Sequence, residues 1–210
     1  MEVFVEKIVN SPINSNCFII YQANFSSCII VDPGSKDSFE IVDFITKNNL
    51  KPEFLILTHE HFDHVWGVNE LKSKYDIKII SSQLCSDKIV DRKKNMSLFY
   101  DQIGFETNPC DITIESIENT LFWNDVKIDF IKTPGHTDCS ISFLIFDKIF
   151  VGDLIIPGFK TVTKLPSGNK KDLLDSLNVI EALHKGRNLK AYPGHGDMFR
   201  LDEINVENIL

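Results

Sequence analysis

Between Thr58 and His64 the chain reads T-H-E-H-F-D-H, three histidines and two acidic residues in seven positions. The apolar run Phe54-Leu55-Ile56-Leu57 precedes it and predicts a short buried strand, so the cluster falls in the loop at that strand's C-terminal end. His59 and His61 lie two apart, which in an extended segment points both imidazoles to one side. Asp63 and His64 reach back into the same space as the chain turns into a helix. A lone histidine is usually a surface or satisfied core residue. Imidazoles and carboxylates converging at this density are instead the donor set of zinc, iron or manganese.

Three further histidine or aspartate motifs follow downstream: T-P-G-H-T around His136, F-V-G-D-L around Asp153, and Y-P-G-H-G around His195. Together with H-E-H-F-D-H they resemble the motif series of the metallo-β-lactamase superfamily, in its order and over nearly the whole chain. The likeness is nearest to the glyoxalase II-like branch of hydrolases. Five of the six histidines occupy motif positions, and only His184 is spare.

The resemblance implies an α/β fold of the four-layer αββα type, two mixed sheets face to face with helices outside, as a single domain over residues 1–210. It implies a ligand set in which His59, His61 and His136 hold one metal, Asp63, His64 and His195 hold a second, and Asp153 bridges both. The expected cofactors are two zinc ions, with iron or manganese as alternatives. Hydroxide shared by the two ions would cleave a small thioester, ester or lactone, with Asp63 orienting it. The competing expectation is an iron-dependent oxidoreductase, persulfide dioxygenase-like or flavodiiron-like, on the same ligands.

Departures from the glyoxalase II pattern bear on substrate. Only about fifteen residues follow His195, so the helical domain that helps bind glutathione is expected to be missing. Thr161-Val162-Thr163-Lys164 precedes Leu165-Pro166-Ser167-Gly168 where many relatives carry G-R-x-D before L-P-G-G. By the same resemblance an acidic residue near the metal but not bound to it falls at Asp32; from the residues alone, Asp32 reads equally well as a plain turn residue.

Composition narrows the partners. The chain has 210 residues, 43% hydrophobic and 25% charged, in keeping with a globular protein that buries an ample core. A net charge of -8 argues against a nucleic-acid-binding surface. Five scattered cysteines, with no C-x-x-C pair, fit free thiols in a reducing compartment. The acidic N-terminus is unlike a signal peptide, and no apolar run is long enough to span a membrane. The expected setting is cytoplasmic, with a small-molecule substrate, no nucleic acid and no membrane partner.

The positioning elements follow from periodicity. Strands are expected at Val3–Val9, Cys17–Tyr21 and Ser27–Val31, then a helix opened by an Asp37/Glu40 capping box and running to about Asn48. Val65, Val68, Leu71 and Tyr75 predict one helix after the histidine cluster. Lys78–Ser81 reads as a strand and 82–110 as a mixed segment, whose Phe99, Tyr100 and Phe105 are candidates for a pocket wall or for packing. Later strands are expected at Thr120–Trp123 and Val126–Thr133, turning at Asn124-Asp125. A second hairpin, Ser140–Phe146 with Ile149–Gly152, turns at Asp147-Lys148. A helix carrying Leu173, Leu177 and Ile180, and a last strand at Leu189–Tyr192, complete the expected elements. Every candidate ligand then sits on a loop at a strand end, where rigid elements aim it.

Overall fold

The computed structural model describes residues 2–203 and Ile209. The chain divides into two compact units, 1–113 and 114–210.

In the first unit, strands β1 (Phe4–Val9), β2 (Asn16–Tyr21) and β3 (Ser27–Val31) precede helix α1 (Phe39–Lys47) and strand β4 (Lys51–Ile56). Helices α2 (Phe62–Val65) and α3 (Val68–Lys74) follow, then β5 (Lys78–Ser81), α4 (Gln83–Ile89), α5 (Ser97–Asp101) and β6 (Ile112–Thr113). The six strands form one sheet in the order β1-β2-β3-β4-β5-β6. β1, β2 and β3 pair antiparallel, whereas β3 through β6 run parallel. Cys28, Ile29, Ile30 and Val31 are all buried, as a strand covered on both faces requires.

Two local expectations give way in this unit. Asp37 does not open a capping box: its Oδ1 accepts from Phe39 N at 2.8 Å, the N-cap is Ser38, and the Ser38 N–H donates to Glu70 at 3.0 Å. The single helix expected after His64 is two, α2 and α3, broken at Trp66-Gly67. There the Gly67 N–H leaves helical pairing to donate to Pro33 O at 2.7 Å, and a Cβ at this position would meet Ser38 Oγ at 2.8 Å.

The second unit holds β7 (Thr120–Trp123), β8 (Val126–Lys132), β9 (Ile141–Ile145), β10 (Lys148–Gly152), helix α6 (Lys170–His184), β11 (Lys190–Pro193) and β12 (Phe199–Arg200). Its sheet order is β12-β11-β10-β9-β8-β7, mixed because only β10 and β11 pair parallel. Asn124 and Asp125 both take positive φ, the conformation a two-residue hairpin favours. The next turn lies one residue earlier than expected, at Phe146-Asp147, since Ile145 pairs Lys148. Phe143, Phe150 and Tyr192 stack in series across β9, β10 and β11, with ring centroids 4.6 and 4.7 Å apart. α6 buries Leu173, Leu177 and Ile180 in the core of this unit. Among the described residues no helix is long and apolar enough to cross a membrane.

Candidate metal centre

Each unit carries its own group of predicted ligands at the ends of its strands. In the first, His59 and His61 occupy the loop after β4, and Asp63 and His64 lie on α2. His59, His61 and His64 are buried. Their rings cluster, with the His59 centroid 4.8 Å from that of His61 and 4.2 Å from that of His64. The second unit gathers His136, from the loop after β8, with Asp153 after β10 and His195 after β11. Asp153 Oδ2 is 3.6 Å from both His136 Nε2 and His195 Nε2.

Asp32, a turn residue or an acidic neighbour of the metal on sequence grounds, lies against the predicted ligand His64. It is buried at the end of β3 with φ 49°, a strained value for a residue bearing a Cβ. Its Oδ1 accepts from Thr58 N at 2.8 Å, and its Oδ2 accepts from Thr58 Oγ1 at 2.6 Å. His64 Nδ1 lies 3.1 Å from the same Oδ2. Asp32 falls close enough to His59 and His64 to join them in a metal-sized trio. Its oxygens are engaged by Thr58 and by the His64 nitrogen remote from Asp63, so it fixes the orientation of the predicted ligand His64 and, through Thr58, of His59. The link runs over 26 and 32 positions of sequence, and only the T-H pair after an apolar run hinted at it.

These contacts decide tautomers. A carboxylate only accepts, so the His64 Nδ1 carries the proton and its Nε2 a lone pair. The Thr58 hydroxyl spends its one hydrogen on Asp32, which leaves it as acceptor toward His59 Nδ1 at 3.0 Å. His59 is therefore also the Nδ1–H form. His136 Nδ1 lies 2.8 Å from the Val162 carbonyl, with the same consequence for the neutral ring. Three histidines thus present Nε2 lone pairs.

Two of those lone pairs face carboxylate oxygens: His64 Nε2 lies 3.7 Å from Asp63 Oδ2, and His136 Nε2 lies 3.6 Å from Asp153 Oδ2. Acceptor facing acceptor beyond hydrogen-bond distance is unfavourable alone and favourable around a shared cation. The residues therefore fit a metal site.

The backbone under each group is held tightly. Gly34 packs so close to the Asp63 carbonyl that a Cβ there would meet it at 1.5 Å. Ser15 Oγ donates to the same carbonyl, and buried Asn10 ties Ser15, Ser35 and Asp32 O together through its side-chain amide. In the second unit, Ser176 Oγ donates to Pro134 O at 2.6 Å and Asn169 N donates to Gly135 O at 2.8 Å, seating the His136 loop on α6. Gly135 takes φ 146° with Leu173 backbone 2.4 Å from a would-be Cβ, so this close approach needs glycine. Gly194 N donates to Gly152 O at 2.8 Å, joining the loops of His195 and Asp153. Cys139 is buried 3.6 Å from Thr137 Oγ1 within the turn after His136.

A probable metallo-hydrolase of Methanocaldococcus jannaschii is 32% identical over 181 residues, covering 81% of this chain and 83% of that protein. Hydroxyacylglutathione hydrolase 1 of Vibrio vulnificus is 32% identical over 158 residues, covering 75% of this chain and 54% of that enzyme. Among solved structures, the B3 metallo-β-lactamase BLEG-1 superposes with a TM-score of 0.87 at 23% identity, over 95% of each chain, a likeness of fold. The family model described as the metallo-beta-lactamase superfamily matches residues 10–195, a span holding all seven predicted ligands, and on that match the chain belongs to the metallo-β-lactamase superfamily.

Proposed function

We propose that the chain is a hydrolase with two zinc ions that cleaves a small thioester, ester or lactone. The superfamily binds a dinuclear metal site through histidine and aspartate residues. In this reading His59, His61 and His136 hold one ion, Asp63, His64 and His195 the other, and Asp153 serves both. The observation that carries it is the set of Nε2 lone pairs fixed on His59, His64 and His136 by Asp32, Thr58 and the Val162 carbonyl. A ring locked in that form is a ready ligand, and the carboxylate partner raises its basicity.

Bound divalent ions supply water of lowered pKa near neutral pH and polarise a carbonyl oxygen. Asp63 offers a carboxylate oxygen to orient the attacking water and to take its proton. Water oxygen bonds to the carbonyl carbon, the carbon–sulfur or carbon–oxygen bond breaks, and the leaving thiol or alcohol takes up a proton. Ester-type chemistry is favoured by the likeness to a hydroxyacylglutathione hydrolase.

The test is turnover of acyl thioesters and lactones in oxygen-18 water by protein loaded with zinc. The label should enter the product carboxylate, with no dissolved oxygen consumed. Oxygen uptake in step with turnover, or activity with iron that zinc does not support, would overturn the hydrolase in favour of an iron oxidoreductase.

A further inference from the structure

Between the predicted ligands His59 and His61 stands a charged residue, Glu60. Alternate side chains of an extended segment face opposite ways, so two histidines that share one side send the residue between them to the other. Glu60 accordingly meets α4. The Lys88 ammonium of that helix donates to its Oε1 at 3.0 Å, across 28 positions of sequence. Both groups are withdrawn from water, with 2% of the Glu60 side chain and 12% of the Lys88 side chain accessible.

A buried ion pair adds little to stability, because desolvation cancels most of the attraction and an apolar pair of like volume holds a fold as well. Its best-attested gain is geometric: it admits one arrangement of the elements that carry it. Here one of those elements is the backbone that bears two metal ligands. The Asp32 and Thr58 contacts orient the rings of His64 and His59, and the placing of the backbone under His59 and His61 is a separate requirement.

The helix behind Lys88 is a firm support. β4 and β5 pair in parallel, so the ligand loop after β4 and α4 after β5 leave the sheet at the same end. Ser82 caps α4 by accepting from Cys85 N at 3.2 Å. Buried Ser86 accepts from Cys110 N at 2.9 Å, and the Ile89 carbonyl accepts from Thr107 N at 3.0 Å. Cys85, Ser86 and Ile89 turn inward together. Lys88 therefore reaches the ligand loop from a helix tied at its start, its middle and its end.

We propose that Lys88, through its buried ion pair with Glu60, is a positioning residue for the metal ligands His59 and His61. Its effect on affinity rests on the zinc reading of the site, and the experiment has one arm with metal and one without.

In the first arm, zinc affinity of the full chain is measured by chelator competition, and each variant's folding is checked by its thermal transition. Lys88→Met keeps the side-chain stem and removes the ammonium, and should weaken zinc binding about 10-fold, the loss typical of a ligand's supporting partner. Lys88→Arg restores a charged donor and should recover most of that loss. Lys72→Met is the control. It breaks another ion pair of the same unit, Lys72 to Asp111 at 2.5 Å with both side chains about a third exposed, and should leave zinc affinity unchanged. If Lys88→Met does not fold, the double variant Glu60→Gln/Lys88→Met removes both charges and should show the same weakening. Zinc bound as tightly without the Lys88 ammonium, no recovery in Lys88→Arg, or an equal loss in Lys72→Met would overturn the proposal.

The second arm records nitrogen-15 spectra of the imidazole rings in metal-free protein. Lys88→Met should shift or broaden the His59 and His61 signals and leave those of His184, on α6, in place. Such shifts sustain the positioning role even if the unaltered protein binds no zinc, in which case the zinc reading alone fails. His59 and His61 signals unmoved in Lys88→Met, or moved equally in Lys72→Met, would overturn it.

Discussion

Replacing Asp32 by asparagine keeps the size and removes the charge at the residue that sets the ligand tautomers. The introduced carboxamide can still offer its oxygen to the Thr58 N–H. Its nitrogen then confronts the Thr58 hydroxyl and the His64 Nδ1–H, where the carboxylate Oδ2 accepted from both at 2.6 and 3.1 Å. The hydroxyl can turn to accept from the new amide, but its hydrogen then points at His59 Nδ1, 3.0 Å away. Both rings are pushed towards the form that protonates Nε2. Two hydrogen bonds to a charged acceptor, at about 1.5 kcal/mol each, put the loss of stability near ~3 kcal/mol. Loss of an orienting partner costs metal affinity about 10- to 100-fold. Zinc affinity by chelator competition and unfolding in urea measure the two effects. An Asp32→Asn protein that binds zinc within about two-fold of the original and unfolds within about 0.5 kcal/mol of it would refute the tautomer argument.

Gly34→Ala should cost more than about 3 kcal/mol or prevent folding, because its Cβ would lie 1.5 Å from the Asp63 carbonyl. Gly186→Ala, with open space but φ 76°, should cost only about 1 kcal/mol in the same urea assay, and equal losses would contradict the clash. Burial pushes the Cys28 thiol up to about 12 and raises that of Cys17 well above its ordinary value. Since an unfolded thiol ionises near ~8.5, stability present at pH 8 should decline by up to about 1.4 kcal/mol per pH unit per thiol as pH rises above that value. Unfolding at pH 8, 9 and 10 checks this, and Cys28→Ala should shallow the decline. Aromatic disulfide reagents at pH 8 should label half-buried Cys110 long before buried Cys17, Cys28, Cys85 and Cys139. His184→Ala should keep turnover within a few-fold, whereas His136→Ala should lose most of it; equal losses would upset the ligand assignment.

What the sequence revealed was what neighbours in the chain decide. An apolar run bounded by turn residues placed β3 at Ser27–Val31, and turn residues between two β-favouring runs placed the Asn124-Asp125 hairpin, where they stand. The short spacing of His59, His61 and His64 brought those rings together before any fold was known. The features that escaped depend on distant contacts. Nothing near Gly67 announces that its N–H will seek Pro33 O and split a helix. Nor does anything near Ser38 show that Glu70 will take the bond a capping box would have used. Asp32 acquires its contacts only when Thr58 and His64 are folded against it. The short β12 was missed because Phe199–Arg200 gains strand character only from pairing with β11.

In the proposed function these donors would hold two ions, with Asp153 a donor to both. Metal content by mass spectrometry, on protein purified without added metal and then equilibrated with zinc, tests it most directly. Close to two ions per chain are expected, falling in Asp153→Ala, which removes a donor from each ion at once. One ion or fewer per chain, or an Asp153→Ala protein with undiminished metal, would contradict it.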